Sequence, residues 1–555
     1  MPRRVDWTHL RPGRDLVAGV MVGLVALPLA LGFGISSGVG AGAGLVTAVV
    51  AGAVAAVFGG SRVQVSGPTG AMTVILVPII ATYGTDGVLV VGLLAGLVLV
   101  GMGYAGVGRF IRYVPVPVVE GFTVGIGAII ALQQVPAALG VQVHADKVVV
   151  LAARAIGTWA ADPVWVPVTL TGGVMVVITV AGRRWPRWPW SLLAVAGATL
   201  VNIAFGWGAA TIGGIPTGLP APHLPVVPWD RLDALILPAI AVAALAALES
   251  LLSATVSDAM SVGHRHDPHR ELVGQGLANL ASPLFGGIPA TAAIARTAVN
   301  VRSGATSRLA ALTHALFLLG VVLVAARWVA EIPLAALAGV LIATAVHMVR
   351  VSSLLALLRA TRGDAAVLLV TAAATVAFDL VTAVLVGLVL AGFFALQQTA
   401  RTVRLDEMPL DEGDDVDRTD HTDEERALHD EHIVAYRIDG PLFFAAAHDF
   451  LLELSDVSDI RVVILRMSRV TTLDATGAHV LADTIRRLEG RGITILLSGV
   501  LPQHERVLCR LGVYDQLAHE RHLFDTTPEA ISHARLHAAR IIHQPDHPPV
   551  DPTTA

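Results

Sequence analysis

One cysteine in 555 residues excludes an internal disulfide, and Cys509 suits a reducing compartment for the C-terminal part. Charge is scarce as well. Charged residues make up 15% of the chain, and the net charge of −5 implies no nucleic-acid partner. No nucleophile elbow, phosphate loop or zinc-protease spacing occurs, so nothing argues for an enzyme. No cleavable signal peptide is expected either: Met1 to Arg14 is basic and polar, and the apolar stretch after it is long enough to span and shows no convincing cleavage site. Apolar residues are abundant instead, at 54% of the chain with 54 glycines.

From Asp15 to about Gln398 the apolar runs reach the roughly 20 residues that span a bilayer. Full or partial spans are expected near 15–36, 42–60, 69–82, 87–108, 116–137, 163–182 and 188–206. A second set is expected near 233–258, 271–285, 290–300, 309–326, 332–348, 364–378 and 380–398. Seven crossings per half is an odd number, which forces the two halves into opposite orientations, an inverted repeat. With the N-terminus inside, Arg62, Arg109, Arg112, Arg183, Arg184, Arg187, Arg265 and Arg270 all fall in cytoplasmic loops. So do Arg302, Arg308, Arg350, Arg359, Arg362, Arg401 and Arg404, which also puts the C-terminus in the cytoplasm. Trp185, Trp188 and Trp190 read as interfacial anchors.

Two segments at corresponding places are broken by Gly and Pro: Val65-Ser66-Gly67-Pro68-Thr69-Gly70-Ala71 and Phe285-Gly286-Gly287-Ile288-Pro289-Ala290-Thr291. In hydrocarbon such breaks survive only against protein or a wet cavity. A helix starting there points unpaired N–H groups and partial positive charge into that cavity. Two facing starts make a site for a small anion, with Thr69, Gly70, Ala71 and Ala295 as candidates through their backbone N–H groups. Single glycines would only signal close helix packing; the pairing carries the reading. Arg296 either adds fixed positive charge to the cavity or snorkels to the interface with Arg302.

Glu249 lies about two-thirds along an apolar helix, where an ionisable side chain costs a few kcal/mol and faces a bundle interior or wet cavity. Ser253, four residues on, shares that helical face. Function is favoured here over a structural carboxyl. Glu120, opening a helix after Pro115 and Pro117, reads as structural. His264, His266 and His269 sit in a short basic loop without a spaced acid or Cys partner, so no metal site is expected.

Residues 401–431 form an expected acidic, solvated linker, and 432–545 a compact α/β domain followed by a disordered tail at 546–555. Strands are expected at 432–438, 461–467 and 493–497, with helices at 475–489, 502–516 and 527–542.

The stretch Leu27-Pro28-Leu29-Ala30-Leu31-Gly32-Phe33-Gly34-Ile35 through Gly59-Gly60-Ser61-Arg62-Val63-Gln64-Val65-Ser66-Gly67-Pro68-Thr69 resembles the sulfate permease (SulP) family of anion transporters. The likeness extends to Gly121-Phe122-Thr123-Val124-Gly125, Leu248-Glu249-Ser250-Leu251-Leu252-Ser253, and Pro289-Ala290-Thr291 through Ile294-Ala295-Arg296-Thr297-Ala298-Val299-Asn300. The C-terminal module is similar to that family's STAS domain.

The resemblance implies an α-helical polytopic membrane protein of fourteen segments, two inverted repeats of seven split into a mobile core and a gate, plus a small cytoplasmic α/β domain. The substrate site would lie between the third and tenth segments. Glu249 matches the coupling carboxylate on the eighth; Asp there goes with sodium-coupled bicarbonate transporters, Glu with proton coupling. Ser253 matches a position of the sodium site in the former. Arg296 matches an arginine that adds positive charge to the anion site. In STAS domains of the anti-sigma antagonist type a Ser before Gly is phosphorylated, and Thr476 holds that place in Leu473-Asp474-Ala475-Thr476-Gly477; a simple helix-capping loop is the favoured reading. Pro28-Leu29 stands where many members have Pro-Gln, which removes a polar side chain near the site.

The expected function is thus secondary transport of small inorganic or carboxylate anions across the cell inner membrane, proton-coupled and elevator-like. No cofactor is expected beyond a proton or sodium as coupling ion. Partners would be the anion, the bilayer, a second copy in a homodimer, and a cytoplasmic regulator at the STAS domain. The rivals are a sodium-coupled bicarbonate transporter, a nucleobase–proton symporter by fold analogy, and a membrane-anchored STAS signalling protein.

Overall fold

A computed structural model describes residues 11–145, 147–185, 188–226, 232–260, 265–378, 380–400, 404–407, 432–442, 460–518 and 522–542. The chain divides into two units, Met1–Ala391 and Gly392–Ala555.

Among the described residues nine helices are long and apolar enough to cross a membrane. The elements of the first unit are α1 (Pro12–Ser36), α2 (Ala41–Phe58), β1 (Ser66–Gly67), α3 (Gly70–Tyr104), α4 (Val116–Leu139), α5 (Val148–Ala161), α6 (Trp165–Arg184) and α7 (Trp190–Ala204). They continue with α8 (Leu232–Met260), α9 (Pro268–Leu284), β2 (Thr291–Ala292), α10 (Ile294–Arg302), α11 (Arg308–Ala330) and α12 (Leu334–Met348). The helices end with α13 (Val351–Ala360), α14 (Arg362–Ala377) and α15 (Leu380–Ala400), the last of which runs across the boundary at Ala391. Non-helical backbone at Gly84, with φ of 70°, divides α3 into the expected third and fourth segments. Counting those two separately and leaving out α5 and α13, the order is fourteen segments, seven and seven.

The short helices α5 and α13 were not foreseen. Each follows the fifth segment of its repeat, and α5 buries only Ala152 and Ala155 while α13 buries nothing. Their occurrence at matching places is itself a mark of the repeat. One group of helices packs α1, α2, α3, α8, α9, α10 and α11 together; the other packs α4, α6, α12 and α14. These are the core and the gate.

Small residues set the closeness of the core. A Cβ on Gly19 would lie 2.4 Å from Ala310 O, and one on Gly44 2.0 Å from Ala30 O. The α11 entry is fixed by a buried carboxylate: Asp15 accepts from Thr306 N at 2.7 Å, Ser307 N at 3.1 Å and Ser307 Oγ at 2.6 Å. Asp15→Ala would strand these donors, at a cost of about 2–3 kcal/mol. We expect a lowered unfolding temperature for the detergent-purified variant; an unchanged one would remove Asp15 from the stabilising contacts.

The second unit holds a sheet of order β3-β4-β5-β6-β7: Arg404–Glu407, Ile433–Leu442, Val462–Leu473, Thr494–Ser498 and Leu523–Phe524. β3 pairs antiparallel with β4, and the remaining pairs are parallel. Alternation along β5 sends Val463 and Leu465 to one face, with Leu481 and Ile485 of α16 (Ala475–Glu489). Val462 and Ile464 go to the other, with Ala530 and Ala534 of the last helix, Thr527–Ile542. The expected helix 502–516 is two, Pro502–Arg510 and Val513–Ala518, parted by Gly512 at φ 73°. β3 lies inside the stretch expected as linker, because its backbone finds a free edge on β4. Residues 408–431 and the tail 546–555 lie outside the described residues.

Candidate functional site

The first break holds Pro68, which lacks an N–H, and Gly67 at φ 154°. The two breaks solve each other's hydrogen-bonding problem. Ser66 pairs with Ala292 and Gly67 with Thr291 in a two-rung antiparallel ladder, and Ala293 N donates to Val65 O at 3.0 Å. Side chains supply the rest of the second break. Asn279 donates to Ala290 O and accepts from Ala290 N, both at 2.8 Å, and Thr47 Oγ1 accepts from Ile288 N at 2.7 Å. The hydroxyls of Ser250 and Thr291 meet at 2.9 Å, and Gln275 donates to Ser66 Oγ at 2.7 Å. Irregular backbone at membrane depth is thereby satisfied within the protein.

Because the ladder is antiparallel, α3 and α10 leave it from opposite ends, each presenting a first turn whose N–H groups lack intrahelical partners. Thr69 caps α3, its hydroxyl accepting from Met72 N at 3.4 Å and donating to Glu249 Oε2 at 2.9 Å. Arg296, 2% exposed, donates through Nη2 to Pro68 O at 2.7 Å, while its Nη1 has no hydrogen-bond partner among the described residues. Acid and base from α8 and α10 therefore grip adjacent residues of one break. A second buried donor set adds rigidity: Asn300 donates to Val63 O at 2.7 Å and Gln64 to Ser250 O at 2.8 Å.

Of the residues singled out in sequence, Thr69, Glu249 and Arg296 are brought together at the Pro68–Thr69 peptide. Gly70 and Ala71 are buried in the first turn of α3; Ala295 is exposed on the first turn of α10. Ser253 is fully buried and donates to Thr297 Oγ1 at 3.2 Å. Glu120 accepts from Ser353 Oγ at 3.1 Å, tying α4 to α13. His266 does have an acid partner, Asp258 Oδ2 at 2.7 Å, supplied by α8; His264 lies outside the described residues. Thr476 is exposed on the first turn of α16, where Asp474 caps Gly477 N at 2.7 Å.

Gly67 is required twice over. A Cβ there would lie 2.6 Å from Arg296 Nη1 and 3.3 Å from Ala48 Cα, at a positive φ that other residues avoid. Gly67→Ala should cost roughly 1–3 kcal/mol of local strain and lower uptake tenfold or more in inserted protein. Normal flux in the variant would show that the clamp is not needed.

A family model described as the sulfate permease family matches residues 13–371, and one described as the STAS domain matches 426–530. The chain belongs to the sulfate permease family. It is 35% identical over 92% of its length, and 96% of the other's, to "Putative sulfate transporter YvdB" of Bacillus subtilis (strain 168). It is 30% identical to the bicarbonate transporter BicA of Synechocystis sp. (strain ATCC 27184 / PCC 6803 / Kazusa), over 94% of each chain. In fold it matches the murine Slc26a9 anion transporter, with a TM-score of 0.81 at 17% identity over 96% of this chain and 93% of that one. The protein is a polytopic membrane transporter with a C-terminal STAS domain, not an enzyme.

Proposed function

We propose that this transporter moves small inorganic or carboxylate anions of the sulfate type, in symport with protons, by an elevator motion of the core against the gate. The observation that carries the reading is the shared clamp: Glu249 and Arg296 hold adjacent residues at the tip of α3, beside the opposed tip of α10. Helix tips and Arg296 attract an anion, whereas an ionised Glu249 repels it. Protonating Glu249 removes that repulsion, so anion and proton load together, and coupling follows from linkage.

The second reading is sodium-coupled bicarbonate transport, favoured by the likeness to BicA, with Ser253 near a coupling ion. Glu249 rather than Asp favours the proton. Uptake of labelled sulfate, bicarbonate, dicarboxylate, chloride and nitrate into proteoliposomes, under a pH or a sodium gradient, separates the two. Accumulation driven by the pH gradient supports the proposal, and accumulation driven only by sodium overturns it. Flux by protein truncated after Arg404 separates both from a signalling role with vestigial transport.

We place the protein in the cell inner membrane with both termini cytoplasmic, from the arginine-rich loops. A homodimer and a cytoplasmic regulator binding near Thr476 belong to the same proposal.

A further inference from the structure

The C-terminal unit contains a group of titratable side chains to which the proposed transport mechanism gives no role. His522 immediately precedes the short strand β7, and His533 and His537 lie one turn apart on the last helix. One ligand nitrogen from each falls within 4.8 Å of the other two. His537 Nε2 stands 3.4 Å from His522 Nε2 and 3.2 Å from His533 Nε2. His522 is buried at 2% exposure and the other two are half-buried, so the group opens to solvent on one side.

Those spacings have a chemical meaning. Two nitrogens bound tetrahedrally to zinc, at about 2.0–2.1 Å each, stand about 3.3 Å apart. Hydrogen bonding among the rings explains the arrangement less well. A neutral Nε2 offers either one proton or one lone pair, so His537 Nε2 can bond to only one of its two neighbours. With all three rings protonated at Nδ1, each Nε2 carries a lone pair that a metal ion can take. An i,i+4 histidine pair on a helix also puts both rings on one face.

We propose that His522, His533 and His537 form a three-imidazole site for a divalent transition metal of the zinc type, with the fourth position open to water. The metal ties the last helix to β7 and closes the end of the domain. It is a structural site, separate in chemistry from the anion path, where the sequence reading expects no metal.

The test uses the full chain, purified without a histidine tag, stripped with chelator and titrated with Zn²⁺ and Co²⁺. Wild type is expected to bind one Zn²⁺ that the His533→Gln/His537→Gln variant binds tenfold or more weakly. Zn²⁺ should raise the unfolding temperature of wild type and not of the variant. Bound Co²⁺ should show the visible absorption of a tetrahedral ion. Because the double variant could misfold, His537→Cys provides an independent arm: it should retain the site and add a sulfur-to-cobalt charge-transfer band. Equal Zn²⁺ stoichiometry and affinity in wild type and double variant would overturn the site. So would Co²⁺ with the spectrum of the aqueous ion, or His537→Cys without the sulfur band.

Discussion

Glu249→Gln is expected to abolish accumulation driven by a pH gradient while leaving anion exchange within a few-fold of wild type. Glutamine keeps the shape of the side chain, and its carbonyl oxygen can still accept the Thr69 hydroxyl that Glu249 Oε2 takes at 2.9 Å. Only the titratable charge is lost. One coupled proton supports about tenfold accumulation of a monovalent anion per pH unit, since about 1.4 kcal/mol is a factor of ten. The variant should therefore bring the internal concentration only to equality with the external one. Counterflow of labelled anion against unlabelled anion should continue, because loading no longer waits for a proton. Sustained accumulation under a pH gradient in the variant would remove Glu249 from the coupling.

Arg296→Ala should weaken uptake about 10- to 100-fold, chiefly through KM. Hydrogen bonds made by charged groups are worth about 1.5–3 kcal/mol, and this side chain makes one to Pro68 O at 2.7 Å from a buried position. Alanine removes the fixed positive charge and also strands that carbonyl. Arg296→Lys separates the two effects. It keeps the charge but loses the planar fork, so its KM should fall between those of wild type and alanine. Monodisperse elution and an unfolding temperature near wild type show that the fold survives. An unchanged KM in correctly folded Arg296→Ala would place the arginine in structure alone.

Much of this architecture is readable from residues. The hydropathy runs mark the fourteen segments, because a spanning helix must be apolar over most of its length. The paired Gly–Pro breaks mark the ladder, since only satisfied backbone can leave a helix at that depth. The partners of the charged side chains are a different matter. Arg296 bonds a backbone carbonyl, and a carbonyl carries no sequence signature. Thr69 marks a helix start, yet its link to Glu249 spans 180 residues and depends on how α3 and α8 pack. Gln275 and Asn279, four residues apart on α9, were a missed signal: two amides on one face of a mostly buried helix imply nearby irregular backbone. The helices α5 and α13 escaped because they are too short to span and lie between segments. In the C-terminal unit β7 has two residues, too few for any periodicity. His522 therefore gave no hint of meeting the His533–His537 pair.

The most direct measurement is the position of a bound anion. A structure determined with the heavy-atom analogue of a transported anion, selenate for sulfate or bromide for chloride, should show its peak between the first turns of α3 and α10. It should lie about 3 Å from backbone N–H groups of residues 70, 71 or 295, the usual hydrogen-bond range. A transported analogue bound elsewhere, with no density between the two helix starts, would contradict the account.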